Sequence, residues 1–433
     1  MKDSGYKWAL LVFLFVAFFL ELGTRQLYNA VLPQISVEFG RFGVTDAQLG
    51  MVGSVFGVVF GIALVVSGLA ADFFGRKRVL VVGTLLYSIG VLGSGFAGGI
   101  AALVVFYGIV NAMGQCCIAP AGYALITKYH KETRSVAMAL FQSAVYFGII
   151  LSSVFGGTLA EIGEGAWRRS FWIMGAIGVA WALVMHVGMR QEPTGVGEGG
   201  ENKASVKEAF LALLSKPTAV LIAVAFGFFV YASLGIRLWT PTFLARSFEG
   251  VGTAKAALHG VLWMNAASFA SCLVTARFID RFGVKRPRIR LEVSAIGLLL
   301  CIAPMLWVAK AGSFVSCCAA LAVLGVTVGI YEAAHYPAMF DCIAPRYRSA
   351  ATGLTGCMAF LMGSFAPTVL GWMNDHLSMR TGFASLGLFY LVGGIMLVPA
   401  IFRYFAGDYV GEFAGAEVGA DKRGTEKSKW TNP

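Results

Sequence analysis

Twelve apolar segments, each about 20 residues or longer, constrain the fold of this chain more than any other feature. A helix of about 20 residues spans about 30 Å, the thickness of the hydrocarbon core of a bilayer. The chain is 58% hydrophobic and only 13% charged, with a mean hydropathy of +0.74, so a soluble fold of 433 residues could not bury its apolar surface. The sequence therefore predicts an all-α membrane protein with twelve transmembrane helices. The predicted spans are residues 8–34, 47–71, 78–98, 100–127, 135–160, 169–189, 218–245, 255–276, 290–309, 314–341, 349–373 and 382–405.

Two similar loops follow spans 2 and 8 and indicate an internal duplication. Residues 68–78 (GLAADFFGRKR) and 276–286 (ARFIDRFGVKR) place an aspartate, a glycine and a basic pair at the same intervals, 208 positions apart. In the first loop Gly75 permits a tight reversal between two spans. Spans 5 and 11 also begin alike, at Arg134 and Arg348, 214 positions apart.

The duplication predicts two pseudo-symmetric six-helix bundles, residues 1–189 and residues 218–406. Residues 190–217, rich in Gly, Glu and Lys, form the longest polar interruption and are expected to be a cytoplasmic linker. Residues 407–433 are polar and are expected to form a disordered cytoplasmic tail. Within span 2, glycines at 53, 57 and 61 lie on one face, which allows another backbone to approach closely, either as static packing or as a sliding surface.

The distribution of basic residues predicts the orientation. With the N-terminus inside, the inner segments hold 25 of the 34 Lys and Arg residues, the outer loops hold seven, and Arg25 and Arg237 lie within spans. Both termini are therefore expected in the cytoplasm, and the net charge of +11 is explained by topology and not by nucleic-acid binding. The eight cysteines lie mostly in apolar segments without C-x-x-C spacing, so no metal site and no cofactor are expected.

A charged residue inside a span is costly and is a candidate for function. Arg25 lies in the middle of span 1 and shares a face with Asn29, with Tyr28 beside them. A guanidinium with neutral donors can bind a carboxylate or a phosphate. The alternative is a structural ion pair with Glu21, one turn earlier.

Span 10 offers a second candidate in Glu332 and His335, which share a helix face. Because histidine titrates near physiological pH, the two could bind a proton during transport. A hydrogen-bonded contact between helices is an equal alternative, and metal binding is a weaker one. Glu332, His335 and Glu21 are the candidates for proton coupling.

The loop at 68–78 resembles the signature loop of the major facilitator superfamily of secondary transporters. An arginine eight residues before Pro33 resembles the anion:cation symporters and the organophosphate antiporters, as does the Trp239-Thr-Pro241 sequence of span 7. The chain departs from these branches where it has Thr24, Gln115 and Ser233. The first two replace acidic residues that the symporters link to proton coupling. The resemblance implies that Asp72, Arg76, Arg134 and Asp280 control the inner gate.

The sequence thus predicts a secondary transporter of a small organic anion, such as a sugar acid or a sialate-like carboxylate, by alternating access and symport with H⁺ or Na⁺. A sugar-phosphate antiporter, a lysolipid or sphingolipid transporter and a transporter-like sensor are the alternatives. The sequence contains no recognisable pair of a nucleophile and a base and no metal cluster, so an enzyme is not expected. We expect a monomer in a plasma membrane, specifically a bacterial inner membrane. The candidate substrate-binding residues are Arg25, Tyr28, Asn29, Gln115, Gln142, Tyr146, Ser233, Arg237, Trp239 and Tyr331.

Overall fold

The computed structural model describes residues 2–130, 132–190, 206–283, 286–344 and 347–410. Within these ranges twelve helices are long and apolar enough to cross a membrane, which confirms the predicted number of spans. We name them in chain order: α1 (Lys2–Gly40), α2 (Asp46–Phe74), α3 (Arg76–Gly95), α4 (Ile100–Tyr129), α5 (Arg134–Ala160), α6 (Trp167–Gly188), α7 (Pro217–Ser247), α8 (Thr253–Gly283), α9 (Ile289–Lys310), α10 (Phe314–Phe340), α11 (Ala350–His376) and α12 (Met379–Asp408).

Local sequence explains both ends of α2. Thr45 caps its start, because the Thr45 hydroxyl accepts from the Gln48 backbone N–H at 3.3 Å while the Gln48 side chain accepts from the Thr45 N–H at 3.0 Å. Gly75 alone separates α2 from α3 and has φ of 86°, a conformation that side-chain-bearing residues rarely adopt. The expected reversal at this glycine is therefore present.

Several segments differ from what the sequence predicts. The first helix continues through Pro33 to Gly40, beyond the predicted end at residue 34. Inside α4 the segment Val104–Asn111 is π-helical, and such segments often place functional side chains. The predicted linker contains a short helix, Val206–Leu214, while its residues 191–205, like residues 411–433 of the predicted tail, lie outside the described ranges.

Helices α1–α6 pack on one another, as do α7–α12, and the two halves meet along a few defined helix pairs. The main contacts between the halves are α2 with α11, α5 with α8, and α1 with α7. This is the expected arrangement of two six-helix bundles.

The glycine face of α2 lies at this interface. A Cβ at Gly57 would collide with the Ser364 side chain of α11, and a Cβ at Gly61 would come to 3.1 Å from the Cβ of Phe360. One turn from Gly57, Ser54 and Thr368 share a hydrogen bond of 2.7 Å. The glycines thus allow the two halves to approach almost backbone to backbone.

Candidate functional site

Arg25 of α1 is held by groups from its own half. Its Nη2 donates to Glu21 Oε1 at 2.8 Å, and its Nε donates to Gln115 Oε1 of α4, also at 2.8 Å. The guanidinium lies over the rings of Phe60 and Phe56 of α2, at 4.4 and 5.4 Å from their centroids. The ion pair with Glu21, expected as the alternative to a binding role, is therefore present. The Arg25 side chain is nevertheless 25% exposed, whereas that of Glu21 is 3% exposed.

The π-helical segment of α4 supports this arrangement. Gln115 is buried, and its Nε2 donates to Asn111 Oδ1 at 2.9 Å, which fixes the amide so that its oxygen faces Arg25. Tyr107 donates to the Arg25 backbone carbonyl at 2.7 Å. Gln115 thus orients Arg25 and is enclosed by protein groups.

Arg237 of α7 is the contrasting case. It lies within the span, about 15 Å along the helix axis from Ser247, and its side chain is only half-buried. Within the described ranges it forms neither a hydrogen bond nor an ion pair. Its positive charge acts on Arg25 across the interface, so the two arginines of opposite halves are near enough to repel each other.

Three of the predicted site residues lie together on α10. Glu332 accepts from the Ser268 hydroxyl of α8 at 2.9 Å and is half-buried. Tyr331 and His335 are buried and stacked, with ring centroids 5.1 Å apart. Neither the Tyr331 hydroxyl nor the two His335 nitrogens find a hydrogen-bond partner among the described residues. The hydrogen-bonded contact between helices, one of the two alternatives for this pair, is present for Glu332. It does not explain why His335 is buried without a hydrogen-bond partner within the described ranges.

The other predicted substrate-binding residues divide into two groups. Tyr28 and Trp239 are fully buried and donate to backbone carbonyls, Tyr28 to Leu49 at 2.9 Å and Trp239 to Pro367 at 2.9 Å. They pack helices together in this conformation. The remaining four are wholly or partly exposed: Asn29, which donates to Gln26; Gln142, which accepts from Tyr123; Tyr146, which packs on Phe269; and Ser233.

One cluster between the halves was missed by the sequence prediction. At the predicted outer end Arg246 of α7 donates to both carboxylate oxygens of Asp46 at the start of α2, one of them at 3.0 Å. Asp375 of α11 accepts from the backbone N–H groups of Asp46 and Ala47, both at 2.9 Å. We call Asp46, Arg246 and Asp375 the outer latch. None of the three was among the predicted site residues, and the Thr45–Gln48 capping pair is a local sequence signal that could have marked the place.

The structure describes fewer contacts for the predicted inner-gate residues than for the outer latch. The side chains of Asp72 and Arg134 lie outside what the structure describes. Arg76 is half-buried and Asp280 is exposed, and neither forms an ion pair among the described residues. Beside them the Lys77 ammonium donates to the Met189 carbonyl of the same half. Polar contacts between the halves are thus present at the predicted outer end and in the middle.

Comparison with known proteins agrees with this architecture. The family model described as the Major Facilitator Superfamily matches residues 14–367. A probable sulfoacetate transporter of Cupriavidus necator is 26% identical over 88% of this chain and 89% of its own length. The cis,cis-muconate transport protein of Acinetobacter baylyi is 24% identical over 93% of this chain and 95% of its own.

Solved structures show the same fold. The crystal structure of a bacterial homolog of the human lysosomal transporter Spinster, inward-facing and unoccupied, superposes with a TM-score of 0.82 at 20% identity. It covers 94% of this chain and 99% of the other. Because the family model extends over most of the sequence, the chain belongs to the major facilitator superfamily of membrane transporters.

Proposed function

We propose that this protein is a secondary active transporter that moves a small organic anion across the membrane by alternating access. The observation that carries the proposal is Arg237, a guanidinium inside a span for which the described residues supply no counter-ion. A charge in that position is costly unless it is compensated, and an anionic substrate compensates it. Two relatives support this reading, since they are described as transporters of sulfoacetate and of cis,cis-muconate.

The two arginines have different roles in this proposal. Arg237 forms an ion pair directly with the anionic group of the substrate. Arg25 is oriented by Glu21 and Gln115 and offers the exposed quarter of its side chain as a second, pre-positioned contact from the other half. A substrate bound to both arginines joins the halves and relieves their mutual repulsion.

Glu332 is the coupling residue in the proposal, with His335 beside it. Both Glu332 and Arg237 act electrostatically on Tyr146, so an anion at Arg237 enters the field of the Glu332 carboxylate. Protonation of Glu332 removes this repulsion and links uptake of the anion to uptake of H⁺. Na⁺ bound at the same carboxylate would have the same electrostatic effect.

The distribution of Lys and Arg supports the orientation that completes the proposal. Both termini are cytoplasmic, and the membrane is the plasma membrane, a bacterial inner membrane. The outer latch then closes the external side.

Exchange in proteoliposomes tests the function. Purified protein is loaded with unlabelled anion, and counterflow of labelled carboxylates, sulfonates, sugar phosphates and lysolipids is measured. We expect exchange of an organic anion that Arg237→Ala abolishes and Arg237→Lys partly retains. Lys310→Ala is the matched control, since it removes a positive charge at the exposed end of α9. Wild-type exchange in Arg237→Ala, or exchange confined to lysolipids, would refute the proposal.

A further inference from the structure

Three of the predicted substrate-binding side chains are engaged by the protein itself. Tyr28 and Trp239 donate to backbone carbonyls, and Gln115 contacts Arg25 and Asn111. A sugar acid carries several hydroxyl groups, and each one that loses water without gaining a partner weakens binding. These three side chains are therefore not available to the hydroxyl groups of such a molecule.

Two pairs of aromatic side chains lie at the interface between the halves. Phe60 of α2 packs on Phe360 of α11, and Tyr146 of α5 packs on Phe269 of α8, each with ring centroids 4.9 Å apart. Each pair joins one half of the protein to the other. We call these four residues the cross-half rings.

The duplication relates the two pairs. Tyr146 and Phe360 are 214 positions apart, the same interval as Arg134 and Arg348, which begin the same two helices. Phe60 and Phe269 are 209 apart, one more than the signature loops that follow their helices. The cross-half rings are thus one feature present twice, on opposite flanks of the interface.

One pair contacts a central arginine, and the other pair is linked to the second arginine by electrostatics. The Arg25 guanidinium lies 4.4 Å from the Phe60 centroid. Tyr146 lies within electrostatic reach of Arg237. A ligand bound at Arg25 therefore meets the Phe60–Phe360 pair, and its other end extends toward Arg237 and the Tyr146–Phe269 pair.

The charges near the centre limit the charge of the ligand. Glu21 compensates Arg25, and Arg237 remains as a guanidinium without an ion-pair partner in the part of the chain that the structure describes. One such cation balances one anionic group. A second carboxylate on the ligand would find Arg25 already balanced by Glu21 and would lose its hydration in a region of low dielectric constant without gaining a counter-ion.

We infer that the substrate is a flat, apolar monoanion, namely an aromatic or conjugated acid with one carboxylate. Its anionic group pairs with Arg237, and its body lies between the cross-half rings, where offset and edge-to-face contacts favour planar groups. This inference rests on the proposed function and narrows its substrate class.

Binding titrations on the full-length protein in nanodiscs test the substrate class. The probes are benzoate, glucuronate with the same charge but several hydroxyls, and terephthalate with the same ring but a second carboxylate. We expect benzoate to bind at least about tenfold more tightly than either of the others, a difference of about 1.4 kcal/mol. Equal or tighter binding of glucuronate or terephthalate would overturn the inference. If glucuronate or terephthalate bound as tightly as benzoate but this binding were lost in Arg237→Ala, the proposed function would stand and only the inferred substrate class would be wrong. If all three probes bound equally well in Arg237→Ala, both the proposed function and the inference would be contradicted.

Ring deletions test the position of the ligand. Tyr146→Leu and Phe60→Leu each remove one ring but keep an apolar side chain, and we expect benzoate to bind roughly 2- to 10-fold more weakly in each. Cyclohexanecarboxylate, which has the same charge but no planar ring, should change by less than about twofold. Phe96→Leu is the control, because Phe96 pairs with Trp172 inside the N-terminal half. Equal losses for benzoate and cyclohexanecarboxylate would contradict a stacking role.

Discussion

Removal of the Asp375 carboxylate should open the predicted outer end of the protein. In the structure this side chain accepts the backbone N–H groups of Asp46 and Ala47, which belong to the other half. Asp375→Ala deletes both bonds and leaves the Asp46–Arg246 ion pair in place. Because the lost bonds exist only in the closed arrangement, their free energy shifts the equilibrium between the closed and open states.

The size of the shift follows from the two contacts. A hydrogen bond to a charged group contributes about 1.5–3 kcal/mol, and the exposed position of Asp375 reduces this to about 1 kcal/mol per bond. Two bonds give about 2 kcal/mol, which is a change of roughly 30-fold in the ratio of open to closed molecules. Asp375→Asn keeps one acceptor oxygen and should give roughly half of this free energy.

Distance measurements between spectroscopic labels provide the assay. Phe42 and Leu377 are exposed at the same end of the molecule and belong to opposite halves, so labels there report its opening. Glu164→Ala is the matched control, since Glu164 pairs with Arg41 within one half and in exposed positions. An unchanged distance distribution in Asp375→Ala, or an equal shift in Glu164→Ala, would show that the outer latch does not hold the ends together.

Three further changes test other parts of the structure. Gly57→Val places methyl groups against Ser364, so α2 and α11 cannot close, and labels at the outer end should show the open state even without substrate. Glu332→Gln removes the carboxylate to which the proposal assigns coupling, so a pH gradient should no longer drive uptake while anion exchange continues. Gradient-driven uptake at the wild-type rate would exclude this residue from coupling. Arg25→Lys loses the planar fork that Gln115 orients, and substrate binding measured by titration should weaken by about 1.5–3 kcal/mol.

The number of spans and the duplicated halves could be predicted because they depend on local properties. The length of each apolar segment and the repeated loops can be recognised within short stretches of contiguous sequence. The reversal at Gly75 needs only a glycine between two spans. The ion pair of Arg25 with Glu21 was also within reach, since residues one turn apart share a helix face.

Contacts between distant segments could not be predicted in the same way. Gln115 meets Arg25 across 90 positions, and Asp375 meets Asp46 across 329, so only the packing of helices brings them together. The sequence analysis also predicted Tyr28, as a neighbour of Arg25, and Trp239, through the resemblance, as substrate-binding residues, and in the structure both donate to backbone carbonyls. Their burial depends on which face of α1 and α7 turns to a neighbouring helix, and two highly apolar helices give little indication of that face.

The location of Asp375 at the mouth of the protein determines how its bonds can break. The two N–H groups that it caps belong to the first turn of α2, where a helix has no internal acceptors to offer. In the hydrocarbon layer, uncapping them would leave donors without any partner, and each would cost several kcal/mol. At the mouth, solvent reaches these positions as the halves separate, and water replaces the carboxylate bond for bond. Hydration therefore assists the release of this contact, and the same contact placed deeper in the membrane would hold the transporter in one state.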